Sequence, residues 1–222
     1  MLIDLLTNRL SFTQTIVYII SALIVVFLTL PFHEFAHAFV ADNLGDKTAR
    51  FMGRLTLNPL AHIDYFGALS IILFGFGWAK PVPINPSNFK NPKRDMALSA
   101  LAGPVMNILL AGVAYFILYA IMAFTPYNSF SEFVRMFLLY YVTINIGLAV
   151  FNLFHIPPLD GWKVLGSLLP SRIYWKIMSY ERYIFFGVIL LIYSGVLDRP
   201  INIISNLIIE LIQILPRLIF GF

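Results

Sequence analysis

The sequence predicts an all-α polytopic membrane protein: about five or six transmembrane helices with a short β-hairpin or re-entrant extended segment between them. Three observations predict it. Of 222 residues, 59% are hydrophobic and only 12% charged, whereas soluble domains run at roughly 45–50% and about 25%. The mean hydropathy of +0.83 leaves too little polar surface to cover a water-soluble globule. Apolar runs recur at the length of about 20 residues that crosses the hydrocarbon core of a bilayer. A cytosolic globular enzyme and a disordered tail are thereby excluded. The absence of cysteine excludes a disulfide-stapled secreted domain. A net charge of +4 does not indicate a nucleic-acid partner, because the basic residues are dispersed rather than gathered into a patch.

The elements follow in order. Residues 1–9 set Asp4 against Arg9 and lack the basic start of a cleavable leader, so the apolar stretch 12–40 reads as a permanent first helix. Residues 42–64 are the most polar segment, interrupted by Gly45, Gly53 and Pro59, and partial alternation over 50–58 predicts short strands. Residues 65–78 are apolar but only about 14 long, which suits a re-entrant or interfacial piece. In Lys80-Pro81-Val82-Pro83-Ile84-Asn85-Pro86 the recurring prolines forbid a helix and predict an extended edge or hairpin. Irregular backbone at membrane depth is tolerated only where it lines a cavity. Residues 96–124, 132–155, 174–197 and 201–220 complete the spans, the last carrying Glu210, Gln213 and Pro216. No internal repeat appears, so residues 1–222 read as a single membrane-embedded domain, with a core over about 12–170 and accessory helices over about 171–222. This layout leaves three basic residues (Arg9, Arg135 and Arg199) on one side and the other 12 of 15 on the opposite side. By the positive-inside rule the rich side is cytoplasmic.

The residues that carry chemistry are His33-Glu34-Phe35-Ala36-His37. On a helix, histidines at i and i+4 present both rings on one face and can share a Zn²⁺, with the adjacent glutamate placed to take a proton from an attacking water. Ionisable residues inside an apolar helix are costly and usually functional. A catalytic zinc needs a third protein ligand and an open position. The candidates are His62, His155 and a carboxylate, of which Asp160 is the best: it follows a span broken by Pro157-Pro158 and precedes Gly161. His33 lies roughly 32 Å along the first helix at about 1.5 Å per residue, toward its cytoplasmic end. Asp160 arrives at the same level, and Asn107 lies roughly 15 Å in from that face by the same rise.

These residues resemble the site-2 protease family of intramembrane zinc metalloproteases, peptidase family M50. The resemblance rests on the His-Glu-x-x-His helix, on Asn152, Pro157 and Leu159-Asp160-Gly161, on Ala102-Gly103-Pro104-Val105-Met106-Asn107, and on Gly77-Trp78-Ala79-Lys80-Pro81-Val82-Pro83. It implies one Zn²⁺ held by His33, His37 and Asp160, with Glu34 as general base. It also implies that Asn107 and Asn152 are candidate oxyanion or substrate-positioning groups. Residues 80–83 (Lys80, Pro81, Val82 and Pro83) become the candidate docking strand for a locally unwound transmembrane protein substrate, and regulated intramembrane proteolysis the family role. The PDZ-like domain of many members has no counterpart here. The compact form points to a prokaryotic cytoplasmic membrane with the site toward the cytoplasm. Two other functions compete with this one. A metal-ion transporter or channel fits poorly, because the ionisable residues cluster at one depth without repeat symmetry. A catalytically silent scaffold need not keep His33, Glu34, His37 and Asp160 together.

Overall fold

The computed structural model describes residues 11–74 and 78–221. Its helices are α1 (Phe12–Asn43), α2 (Thr48–Phe51), α3 (Tyr65–Phe74), α4 (Pro92–Phe124), α5 (Ser129–Asn152), α6 (Asp160–Leu168), α7 (Ser171–Met178), α8 (Glu181–Tyr193) and α9 (Asp198–Phe220). Short 3₁₀ turns occupy Pro59–Ala61 and Pro86–Asn88. Among the described residues no strand forms.

Among the described residues four helices, α1, α4, α5 and α9, are long and apolar enough to cross a membrane. The stretch 174–197 is not a fifth, because it breaks at 179–180 into α7 and α8. Lys176, Glu181 and Arg182 lie within it, and burying several charges in hydrocarbon is expensive. What remains is α8, 13 residues long, or about 20 Å against a core of about 30 Å.

Helix α1 starts from a capping box in which Ser11 and Gln14 satisfy each other's backbone N–H groups. It widens into a π-helical turn over Val25–Thr29, where the Leu30 N–H reaches back to the Val25 carbonyl. Pro31 follows in the next turn. It has no N–H to give and its ring crowds the carbonyl four residues back, which the widened turn accommodates. The irregularity ends where the His33 face begins.

Helices α1, α4 and α5 pack through a core that includes Val25, Val26, Ile71, Val142 and Ile146. Buried Ala22, Ala100, Ala111 and Ala114 let the backbones approach, as small residues do inside membranes. Large apolar side chains such as Leu109, Val113, Leu211 and Leu218 face outward at 57–78% exposure. In water that belt would be an aggregation surface; on a multi-pass membrane protein the lipid covers it.

Helix α9 runs parallel to α4. Gln213 Nε2 donates to Tyr115 Oη at 3.0 Å, Arg217 Nε donates to Tyr119 Oη at 3.3 Å, and Phe220 packs on Phe116 and Phe124. Arg217 therefore lies at the Phe124 end of α4, opposite the loops rich in lysine and arginine, and Arg199 lies at the other end. This corrects the sequence layout by exchanging the two arginines, and among the described residues the split is 12 to 2. Arg9, which the sequence layout counts, and Gly77 of the extended motif lie outside the described residues.

The expected hairpin does not form: residues 78–85 are neither helix nor strand. Pro81 and Pro83 carry no N–H, so the edge they share has no donors over that stretch for a ladder. The segment is instead a strap tied at both ends. Lys80 donates its N–H to the His62 carbonyl at 2.8 Å, and Arg54 Nη2 donates to the Lys80 carbonyl at 2.6 Å. At the far end, Asn85 N–H and Asn88 Nδ2 both donate to Asp46 at 2.7 Å. Residues 50–58 are likewise not strands: α2 takes the chain to Phe51, a turn with Gly53 at φ +66° follows, and the Arg54 N–H returns to the Ala49 carbonyl at 2.8 Å.

Candidate metal centre

His33 and His37 are a turn apart on α1, and both rings are buried. Their Nε2 atoms are 3.0 Å from one another. Asp160, the first residue of α6, brings Oδ2 to 3.3 Å from His33 Nε2 and 3.1 Å from His37 Nε2. Two glycines make this approach possible. A Cβ on Gly103 would lie 2.3 Å from His37 Nε2, so α4 can pass behind the rings only without a side chain there. A Cβ on Gly161 would lie 2.2 Å from the Leu153 carbonyl, so α6 can tuck under the end of α5 only as glycine.

The other ring nitrogens decide the proton positions. His37 Nδ1 is 2.7 Å from the Ser99 carbonyl, which can only accept, so Nδ1 carries the proton. His33 Nδ1 is 3.2 Å from Asn107 Oδ1 and donates to it. In the neutral tautomer these bonds select, each ring points an Nε2 lone pair at the other and at a carboxylate oxygen. Three acceptors converge with no donor among them, and a cation is what such a set fits. Among the described residues this trio is the one His/Cys/Asp/Glu group able to hold a metal.

The competing ligand candidates lie elsewhere. His62 is buried, and its Nε2 sits 2.8 Å from the Thr56 carbonyl. Burial pushes its pKa below the ordinary histidine value. His155 is exposed. Asn107 is fully buried behind His33 and does not line the cavity, whereas Asn152 does. The Asn152 Nδ2 donates to the Leu148 carbonyl at 3.0 Å.

That cavity, about 230 Å³, opens onto the trio. Glu34 lines it, with its Oε2 accepting the Val82 N–H at 3.0 Å. Pro81, Val82 and Ile84 of the strap form one wall, and Phe185 and Val188 of α8 another. Lys163 also lines it and was not singled out by the sequence; its only signal there is the i,i+3 spacing from Asp160. Ser99 was missed as a positioning group because a backbone carbonyl leaves no chemical signature, and Gly103 carried only the Gly-Pro-x-x-Asn resemblance, which does not show what its missing side chain makes room for.

The family model of peptidase family M50 matches residues 21–194, which contain the trio, Glu34 and the strap. The chain belongs to peptidase family M50. It is 40% identical over 168 residues to YwhC of Bacillus subtilis (strain 168), which carries the name of a zinc metalloprotease; the match covers 75% of each chain. It is 28% identical over 177 residues to Rip2 of Mycolicibacterium smegmatis (strain ATCC 700084 / mc(2)155), named likewise, covering 78% of this chain and 66% of that protein. No solved structure matches. M50 membership makes this a membrane metalloprotease family chain and makes zinc the metal its His33, His37 and Asp160 group implies.

Proposed function

We propose that this M50 chain is an intramembrane zinc endopeptidase that hydrolyses transmembrane protein substrates near the cytoplasmic face. The observation that carries this reading is one cavity holding the three convergent acceptors, the Glu34 carboxylate and a proline-blocked strap. His33 Nε2, His37 Nε2 and Asp160 Oδ2 would hold the zinc. When bound, zinc supplies polarisation of the scissile carbonyl and acidification of the attacking water. Glu34 takes the proton of that water and returns it to the leaving amine. Asn107 acts through His33, fixing its tautomer. Asn152, at the cavity wall, is the candidate donor to the oxyanion.

A transmembrane helix hides its peptide bonds in its own hydrogen-bond ladder, so the substrate must enter locally unwound. Residues 80–83 (Lys80, Pro81, Val82 and Pro83) receive it by β-augmentation, with the substrate as the second strand of the hairpin the free chain lacks. Residues 1–222 act as a single domain in this reading, with 12–170 as its core. The excess of lysine and arginine in these loops supports a site toward the cytoplasm, and in this reading the membrane is a prokaryotic cytoplasmic one. Regulated intramembrane proteolysis is the role this location supports.

The test is cleavage of a transmembrane-helix peptide by the purified chain in detergent. Glu34→Gln is expected to lose roughly 10²–10⁴-fold in turnover while keeping its zinc, and His37→Ala to lose the zinc. Cleavage that persists in Glu34→Gln and ignores a zinc chelator would overturn the mechanism. Cleavage that survives replacement of residues 80–86 by a helical sequence would overturn the docking role of the strap.

A further inference from the structure

Asp160 divides its two carboxylate oxygens between different partners. Oδ2 faces both histidine Nε2 atoms at 3.1–3.3 Å, while Oδ1 accepts from Lys163 Nζ at 2.9 Å. Neither partner is a surface group: the Asp160 side chain is 9% exposed and that of Lys163 is 32% exposed, at the cavity wall. The lysine is held there by the helix it grows from. Trp162 stacks on Tyr174 with ring centroids 5.9 Å apart and planes 11° apart, and its Nε1 donates to Met178 Sδ at 3.1 Å. Gly166, one turn on, lies so close that a Cβ would be 2.6 Å from the Tyr174 ring. Helix α7 therefore pins α6, and α6 aims Lys163 at Oδ1.

A carboxylate can bind a metal through one oxygen or through both. A catalytic zinc needs a coordination position left for water or substrate, and a second carboxylate oxygen competes for it. We propose that Lys163 is a positioning residue that occupies Asp160 Oδ1, restricting the aspartate to a single ligating oxygen and keeping the remaining metal position open for the reaction. The inference rests on the zinc-site reading above. Its charge also sets the direction of the effect on affinity: a neighbouring ammonium withdraws electron density from the carboxylate and repels a divalent cation. Removing it favours metal retention. A residue that merely held α6 in place would do the opposite, since its loss would scatter the ligands and weaken zinc binding.

The test uses the full chain in detergent, loaded with Zn²⁺ or Co²⁺, comparing wild type, Lys163→Met and Lys163→Arg. Lys163→Met is expected to lose roughly 10–100-fold in turnover of a transmembrane-helix peptide, the usual scale for a metal site's outer shell, with KM little changed. Its zinc affinity, read by chelator competition, is expected to be equal or tighter. The visible band of its Co²⁺ form is expected to weaken, as it does when a four-coordinate site gains a ligand. Lys163→Arg keeps charge and donors and is expected to recover most of the turnover and the wild-type Co²⁺ spectrum. Lys163→Met with wild-type turnover and spectrum overturns the proposal, and so does weakened zinc binding. Failure of wild type itself to bind zinc overturns instead the reading on which the proposal rests.

Discussion

Val82 donates its backbone N–H to Glu34 Oε2 at 3.0 Å, joining the strap to the glutamate of the metal-binding helix across 48 residues of sequence. A carboxylate held by a backbone donor is oriented without any side chain to mutate, so proline substitution is the way to remove the bond. Val82→Pro suits the site, because its neighbours Pro81 and Pro83 already impose extended backbone. Hydrogen bonds to charged groups contribute about 1.5–3 kcal/mol, so turnover is expected to fall roughly 10–100-fold with zinc content unchanged. Unchanged turnover would mean that Glu34 needs no orientation by the strap.

Gly103→Ala places a methyl group 2.3 Å from His37 Nε2 and 2.6 Å from His33 Nε2. Either α4 retreats or the rings turn, and in both cases the ligand set opens. Zinc content by elemental analysis is expected to drop sharply. Gly112→Ala on the same helix meets nothing within 4 Å and is expected to retain zinc, with a helix-propensity gain of about 0.5–1 kcal/mol.

Asp46 is buried and lies outside the spanning helices. Burial opposes its charge, but donors from Thr48, Asn88 and Asn85 outweigh burial and hold its pKa below 3.8. A depressed carboxyl pKa contributes stability above the unfolded value, lost as pH falls through the folded value. Asp46→Asn turns an amide NH₂ toward either the Asn85 N–H or the Thr48 donors. Its cost of about 1–3 kcal/mol is expected as a lower Tm at pH 7. The gap to wild type should shrink as pH falls below 3.8. A gap that is constant with pH would assign the effect to packing alone.

Zinc removal is expected to destabilise the fold as well as stop turnover, because the trio ties α1 to α6. A ligand at 100 times its Kd stabilises by about 2.7 kcal/mol. Chelation should therefore lower Tm in wild type. The same chelator should leave the Tm of His37→Ala unmoved.

The legible part of the site was local. His33 and His37 share a face because a helix repeats every 3.6 residues, and Asp160 was singled out by the broken span before it. Residues 174–197 misled because apolar length was read without the positions of Lys176, Glu181 and Arg182 within it. The alternation in residues 50–58 gave way to the turn at Gly53 that closes α2.

By itself the sequence determined the membrane class, the two-histidine face with its glutamate, and a strap that cannot be helical. Each of these depends on neighbours within a few residues, where backbone geometry alone sets what meets what. The tertiary structure decided the rest. It put Asp160 rather than His62 or His155 on the histidines, seated Asn107 behind His33, aimed Lys163 at the spare oxygen, and ran α9 parallel to α4. Those choices turn on how closely backbones pass, and at Gly103 and Gly161 that closeness depends on a missing side chain whose partner lies far along the chain or on another element.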